Sequence, residues 1–138
     1  MTSVSRGYTG TRSEKDADRL TPIEHARRIA ALCTEKLATD VAILDMRAVC
    51  DYTDYFVIAT GRNSRQTKSI HDEVYATLKS EQGLLPRSVS GLPEATWVVS
   101  DYLDVVLHVF TPETREYYRL EDLWNDVPAV EVEAAVAG

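Results

Sequence analysis

The segment Tyr55–Gln66 constrains the fold more than any other part of the chain. It begins with the apolar run Tyr55–Thr60, passes through Gly61, and reaches Asn63, a residue type that often caps helices. Gln66 stands three residues after that cap, and a helical pattern follows. The apolar positions of this pattern repeat every four residues: Ile70, Val74 and Leu78. A buried strand that leads through a turn into an amphipathic helix predicts a sheet with helices packed on it.

The remaining segments complete a predicted α/β domain. In chain order the predicted elements are a capped helix over 22–38, strands over 41–46 and 55–60, a helix over 63–80, a brief strand over 87–90, a hairpin of strands 96–100 and 105–110, a short helix over 112–118 and a helical turn over 120–124. We therefore predict a single α/β domain with a mixed five-stranded sheet flanked by helices. The helix over 63–80 is predicted to be a right-handed crossover between parallel strands.

Composition sets the domain boundaries and the broad class. Residues 1–20 lack apolar periodicity and predict a disordered arm, residues 21–128 form the domain, and residues 129–138 predict a flexible tail. The apolar content of 44% is enough for one packed core. Two cysteines without a C-x-x-C motif favour a reducing compartment, and no apolar run is long enough to span a membrane. These features predict a cytoplasmic protein.

The net charge of -7 bears on the kind of partner. Affinity for nucleic acid comes from Lys and Arg that neutralise phosphates, so this charge argues against a binder of bare nucleic acid. We predict no direct sequence-specific nucleic-acid binding. An acidic protein is steered toward a basic protein partner, although the same charge also serves simple solubility.

The motifs of nucleotide-binding enzymes are incomplete in this chain. Gly61 stands alone, without the further glycines of a dinucleotide fingerprint or a P-loop, and is predicted to serve a turn that needs positive φ. Metal-dependent nucleotide transfer needs two carboxylates that share a magnesium ion. The acids at a suitable distance, Asp72 and Glu73, are adjacent on a helix and therefore point about 100° apart. We predict no catalytic residues, no metal site and no cofactor.

The hairpin carries the most suggestive cluster of aromatic and acidic residues. Strand alternation places Trp97 and Val99 on one face and Val98 on the other. His108 lies mid-strand, where it is either a satisfied core histidine or a contact residue. We expect the hairpin to bring Trp97 and Tyr102 to one end of the sheet, beside acidic residues. Large aromatics among acids are typical of protein interfaces, and core packing is the alternative role for Trp97.

Three blocks in this chain resemble the ribosomal silencing factor family, also called the Iojap family. They are Asp54–Val74, Trp97–Phe110 and Glu121–Pro128, and the likeness covers roughly residues 22–128. The resemblance implies a small mixed sheet related to that of nucleotidyltransferases. It also implies a non-enzymatic protein that binds the large ribosomal subunit through its fourteenth large-subunit protein, blocks joining of the small subunit, and represses translation when nutrients are limiting.

Carried over to this chain, the resemblance implies a partner-binding surface made of Trp97, Asp101, Tyr102, Asp104 and His108. Trp97 would be an apolar anchor, and the two acids would pair with Arg and Lys of the partner. The alternative function is a nucleotidyltransferase-like enzyme that holds magnesium with Asp72, Asp101 or Asp104. The resemblance also implies a homodimer, which nothing in the residues themselves fixes.

Overall fold

The structure is a computed structural model that describes residues 20–124 and 126–131. Its elements, in chain order, are α1 (Pro22–Glu35), β1 (Thr39–Asp45), β2 (Tyr55–Thr60), α2 (Ser64–Gln82), β3 (Ser88–Ser90), β4 (Trp97–Asp101), β5 (Val105–Phe110), α3 (Pro112–Tyr118), a 3₁₀ helix (Leu120–Trp124) and β6 (Ala129–Val130). No helix in the described ranges combines the length and the apolar character that crossing a membrane requires.

The predicted starts of both long helices are confirmed because local capping signals set them, whereas α1 ends at Glu35, three residues before the predicted end. The Thr21 hydroxyl accepts a hydrogen bond from the Glu24 amide, and the Glu24 carboxylate accepts one from the Thr21 amide at 2.8 Å. The Asn63 side chain accepts from the Gln66 amide at 2.9 Å at the start of α2. Gly83 ends that helix in the left-handed conformation, with φ 64°.

The six strands lie in the order β3-β4-β5-β2-β1-β6. The central β2–β5 pair is parallel and all other pairs are antiparallel, so the sheet is mixed as predicted. The prediction of five strands was wrong by one. The additional strand, β6, comes from Ala129 and Val130, which the sequence placed in the flexible tail. A two-residue strand leaves no alternation to detect, and its pairing with β1 is a long-range contact.

The two faces of the sheet are covered differently. The long helices α1 and α2 pack on one face, over a core that includes Val57, Val98 and Leu107. The opposite face carries Phe56, Val106 and Phe110, and is covered by the shorter segment 120–127. Residues of β4 alternate between the faces, so Trp97 and Val99 lie on the face opposite the long helices, as strand alternation predicted.

Gly61 is required for a different reason from the one predicted. It has no positive φ, unlike Gly83 and Gly91. A Cβ atom at Gly61 would instead lie 2.9 Å from both the backbone nitrogen and the methyl carbon of Thr67. The first turn of α2 therefore packs directly against the end of β2, and only glycine leaves room for it.

Candidate interaction site

Trp97 is the centre of an aromatic cluster on the face opposite the long helices. Its ring stacks on Phe110 with centroids 4.9 Å apart and contacts Tyr118 at the same distance. It is partly exposed, whereas Phe110 beneath it is fully buried. Phe56, His108 and Trp124 continue the cluster through edge-on contacts. We call these six residues the aromatic cluster: Phe56, Trp97, His108, Phe110, Tyr118 and Trp124.

His108 fixes the orientation of Trp97. The indole Nε1–H donates a hydrogen bond to His108 Nδ1 at 3.1 Å, which places the proton of the neutral imidazole on Nε2. The ring is 6% exposed, and burial lowers the pKa of His108 from 6.5 to about 4. His108 therefore stays neutral near pH 7 and serves as an acceptor for Trp97. Its own contact surface is small, because Phe56 and Phe110 cover the ring.

Exposed apolar side chains from the C-terminal segment extend the cluster to the surface. Tyr117 is 79% exposed and lies edge-on to Tyr118, which in turn contacts Trp97. Leu123, on the 3₁₀ helix, is 70% exposed. Exposed aromatic and aliphatic groups next to a half-buried Trp are the composition expected of an interface anchor. Sequence reasoning missed Tyr117 and Tyr118, although their position directly after the Pro112 helix start was visible.

The predicted grouping of Trp97 with Tyr102 was wrong. Trp97 pairs with Phe110 at one end of the hairpin, and Asp101 pairs with Val106 at the other. The two ends of β4 are therefore about 13 Å apart, at roughly 3.3 Å per residue. Tyr102 lies beyond Asp101 in the turn and packs into the core on the opposite face of the sheet. An antiparallel hairpin places its turn and its open end at opposite ends of the sheet.

The acidic turn has its own internal hydrogen bonds. Asp101 Oδ1 accepts from the Leu103 amide at 2.8 Å, and Asp101 Oδ2 accepts from the Arg87 guanidinium at 3.2 Å. Asp104 Oδ2 lies 4.0 Å from His25 Nδ1. Asp101 is thus partly a structural residue, because its side chain shapes the turn as Asx turns do.

Tyr102 is largely inside the molecule. It is 4% exposed, burial raises its pKa, and its hydroxyl has no hydrogen-bond partner among the described residues. Together with Asp104 and the C-terminal end of α2 it lines a groove of about 310 Å³. Of the five residues implied by the family resemblance, the structure brings Trp97 and His108 together and places Asp101, Tyr102 and Asp104 around the turn.

The carboxylates considered for magnesium binding lie on separate elements. Asp72, on α2, has Lys68 Nζ at 3.5 Å and His71 Nδ1 at 2.9 Å. Asp101 and Asp104 lie at the β4–β5 turn, where the Asp101 carboxylate already forms an ion pair with Arg87. Within residues 20–124 and 126–131, no group of three or more His, Cys, Asp or Glu side chains could hold a metal ion.

A partly buried arginine that sequence reasoning also missed attaches the C-terminal segment to the sheet. Arg115 Nη1 donates to the Asp40 carbonyl and to the Thr60 hydroxyl, both at 2.6 Å. Its Nε and Nη2 donate to the Glu121 carboxylate at 2.8 and 2.5 Å. Two of these hydrogen bonds thus join α3 to β1 and β2, and the other two join α3 to the 3₁₀ helix. Tyr118, which contacts Trp97, lies in the same segment.

Comparisons with known proteins agree with this architecture. The family described as "Ribosomal silencing factor during starvation" matches residues 19–137. A Bacillus subtilis protein named ribosomal silencing factor RsfS is 38% identical over 104 residues, which cover 75% of this chain and 87% of that protein. The mouse protein named mitochondrial assembly of ribosomal large subunit protein 1 is 33% identical over 102 residues, covering 70% and 43% of the two chains.

Solved structures resemble the chain along most of its length. A crystal structure of a Chromobacterium violaceum protein has a TM-score of 0.74 and 28% identity, and the match covers 77% of this chain and 88% of that one. A Bacillus halodurans structure has a TM-score of 0.65 and 35% identity, covering 75% and 94%. Sequence and fold agree, and the chain belongs to the ribosomal silencing factor family.

Proposed function

We propose that the chain binds the large ribosomal subunit through its fourteenth large-subunit protein and sterically blocks joining of the small subunit. This would repress translation in the bacterial cytoplasm when nutrients are limiting, without any bond being made or broken. Support comes from the family to which the chain belongs and from relatives named for ribosomal silencing and for assembly of a ribosomal large subunit.

The observation that carries the proposal is the half-exposed position of Trp97. The face that holds Trp97 lacks a long helix, and Tyr117, Tyr118 and Leu123 add exposed apolar surface on the adjoining segment. Monomeric proteins rarely expose large contiguous apolar patches, whereas interfaces concentrate their energy in aromatic anchors at a desolvated centre. We assign Trp97 as that anchor and His108 as the positioning residue that holds it.

The acidic turn belongs to the same proposed surface at its periphery. Asp101 shares a sheet face with Trp97, about 13 Å away along β4. An interface of standard size covers about 800 Å² per partner, which is wide enough to include both. Asp101 and Asp104 would there attract Arg and Lys of a basic partner. The buried Tyr102 would support the turn from beneath and make no direct contact.

A subunit-joining assay on Trp97→Ala tests the proposal. Large subunits are incubated with the chain, small subunits are added, and the joined fraction is read by sedimentation. We expect the variant to lose about 2 kcal/mol of binding free energy or more, about 30-fold in Kd, and to block joining correspondingly less.

Two controls separate binding from stability. Leu85→Ala removes an exposed leucine that lies away from the aromatic cluster, and Ile70→Val removes a buried methyl group on the other face of the sheet. Trp97→Ala itself should lower the unfolding free energy by about 1–3 kcal/mol, because it removes ring contacts and a hydrogen bond to a buried nitrogen. A folded Trp97→Ala protein that still blocks joining would remove Trp97 from the interface.

The nucleotidyltransferase-like alternative makes a different prediction. It requires magnesium and a nucleoside triphosphate to bind near Asp72, Asp101 or Asp104. We expect titration calorimetry with ATP or GTP and magnesium to detect no binding. A Kd below roughly 100 μM, about -5.5 kcal/mol, would revive the enzyme. The homodimer implied by the family resemblance stays a separate prediction, and sedimentation velocity on the free chain tests it.

A further inference from the structure

An acid-free cationic segment stands out in this acidic protein. The run from Tyr55 to His71 contains no Asp or Glu, although the chain has 22 of them, and it carries Arg62, Arg65 and Lys68. The fold adds Lys36, because the Gln66 side chain donates to the Lys36 carbonyl at 2.9 Å. We call Lys36, Arg62, Arg65 and Lys68 the basic patch. Lys36, Arg65 and Lys68 line one open groove of about 380 Å³.

The charges of this patch are poorly compensated compared with those elsewhere. Among the described residues, ion pairs occupy five of the six other arginines, and Arg27 is the exception. The five are Arg28, Arg47, Arg87, Arg115 and Arg119. Arg62 and Arg65 are exposed and form no ion pair with any residue in the described part of the chain. Lys68 has Asp72 at 3.5 Å, which bounds the patch on its C-terminal side together with Glu73. Two free guanidinium groups thus dominate the potential at this surface.

The backbone of α2 adds to the same field. Arg62 precedes the helix and Arg65 lies in its first turn, where the aligned peptide dipoles place partial positive charge. The loop is held rigidly, since the Gln66 carboxamide accepts from the Arg62 amide at 2.7 Å and Asn63 caps the helix. The cations are therefore presented from a fixed framework.

The basic patch lies at the same end of the sheet as Trp97. The Gly61 amide donates to the Phe110 carbonyl at 2.8 Å, and Phe110 is the register partner of Trp97. The Thr67 hydroxyl also bonds to the Ala95 carbonyl, two residues before Trp97. A partner surface centred on Trp97 therefore reaches the start of α2 within one interface of standard size.

We propose that the basic patch binds the phosphate backbone of ribosomal RNA beside the protein-binding surface. The inference rests on the proposed function and adds a second class of partner to it. Guanidinium groups match phosphate geometry, and a polyanion complements a surface where uncompensated cations and a helix start coincide. Backbone contacts of this kind carry no sequence specificity. The net charge of -7 argues against binding bare nucleic acid, so the proposal concerns a local cationic surface that acts beside the protein contact.

The salt dependence of subunit binding tests the inference. The test variant is Arg62→Gln/Arg65→Gln. The control variant, Arg47→Gln/Lys79→Gln, loses the same charge at other places: Arg47 follows β1, and Lys79 lies near the end of α2. Each phosphate contact contributes about 0.9 to the slope of log K against log salt. Raising the salt from 50 to 200 mM lowers the binding constant of the wild type. If the test variant has lost two phosphate contacts, its binding constant should fall by a factor about tenfold smaller over the same range. The control should keep the wild-type slope.

A photocrosslinker at Ser64 identifies what the patch touches. Benzoylphenylalanine at this exposed position, between the two arginines, should give a crosslinked product with the large subunit. Ribonuclease treatment should reduce the size of this product, because the crosslinked partner is RNA. An unchanged slope, an adduct only to protein, or no adduct to RNA would each overturn the inference while leaving the proposed function intact. If the wild-type chain failed to bind large subunits at all, the proposed function itself would fall.

Discussion

His108 shows how one buried residue can serve two purposes. Its Nδ1 accepts the indole N–H of Trp97, so the histidine must stay neutral to hold the anchor in place. Burial enforces this state by lowering its pKa to about 4. Protonation would replace the acceptor with a donor that faces another donor. The orientation of Trp97 is therefore coupled to the charge of a residue that is almost fully buried.

The coupling predicts a specific pH dependence of stability. The unfolded chain binds a proton at His108 near pH 6.5, whereas the folded chain binds it only near pH 4. Between these values the unfolded state holds more protons, so this contribution to stability is complete above about pH 6.5 and is lost as the pH falls toward 4. The largest change in unfolding free energy that the titration of His108 can cause is about 3 kcal/mol.

His108→Gln keeps an acceptor for Trp97 and removes the titration. We expect the unfolding free energy of the wild type, relative to that of this variant, to fall by about 3 kcal/mol between pH 7 and pH 4. Urea denaturation at both values measures it, and the carboxylates common to the two proteins cancel in the comparison. Parallel pH profiles would show that His108 does not titrate across this range.

At the scale of secondary-structure elements, Arg115 decides how the C-terminal segment is held. Its guanidinium reaches Asp40, Thr60 and Glu121, and its side chain is 14% exposed. Glu121 is a third exposed, so part of the ion pair is screened by solvent. The four hydrogen bonds nevertheless join two short helices, neither of which has a buried residue of its own, to the sheet.

Arg115→Met should loosen that segment while leaving the sheet intact. We expect backbone amides of α3 and the 3₁₀ helix to exchange hydrogen faster, with a loss of about 2 kcal/mol in unfolding free energy, because the buried Thr60 hydroxyl and the Asp40 carbonyl lose their donor. Arg119→Met is the matched control, since Arg119 is exposed and pairs only with exposed Glu116 and Asp122. Equal exchange in both variants would refute the role assigned to Arg115.

The elements that could be predicted from sequence are those whose signals are local. The Thr21 and Asn63 caps, the Gly83 stop and the face of Trp97 each depend on residues within a few positions, and the structure confirms them. Long-range contacts were not predictable. The partners of Arg115 lie up to 75 residues away, and the close approach of Thr67 to Gly61 depends on how α2 packs against β2. The prediction that Tyr102 lies at the same end of the sheet as Trp97 was wrong. Strand alternation predicts the face of a residue within a strand, but it does not predict where a residue in the following turn lies.

At the scale of the whole molecule, the two arginines of the basic patch and the two aspartates of the acidic turn lie at opposite ends of the sheet. Arg62 and Arg65 lie beside the end that holds Trp97, while Asp101 and Asp104 lie at the turn. The net charge of -7 conceals this separation. A protein with two charged ends is oriented as it approaches a charged surface, and such orientation acts mainly on the association rate.

The C-terminal boundary of the domain can be tested by truncation. β6 pairs with β1 through Ala129 and Val130, and the Pro128 carbonyl accepts from the Asp45 amide at 3.0 Å. Removing residues 129–138 should lower the thermal midpoint by about 4 °C, for a loss of about 1 kcal/mol. Removing only 132–138 should leave it nearly unchanged. Equal midpoints for the two truncations would restore 128 as the domain boundary.

The position of β6 also has a consequence for how the protein is made. β1 lies near the N-terminus, and its outer neighbour in the sheet is the last strand that the structure describes. During synthesis, β1 leaves the ribosome long before Ala129 is added to the nascent chain. The outer edge of β1 at Ile43 and Leu44 therefore stays open until Ala129 and Val130 have been made, and open edges pair readily with other chains. Newly made copies are vulnerable to misassembly at this edge during that interval.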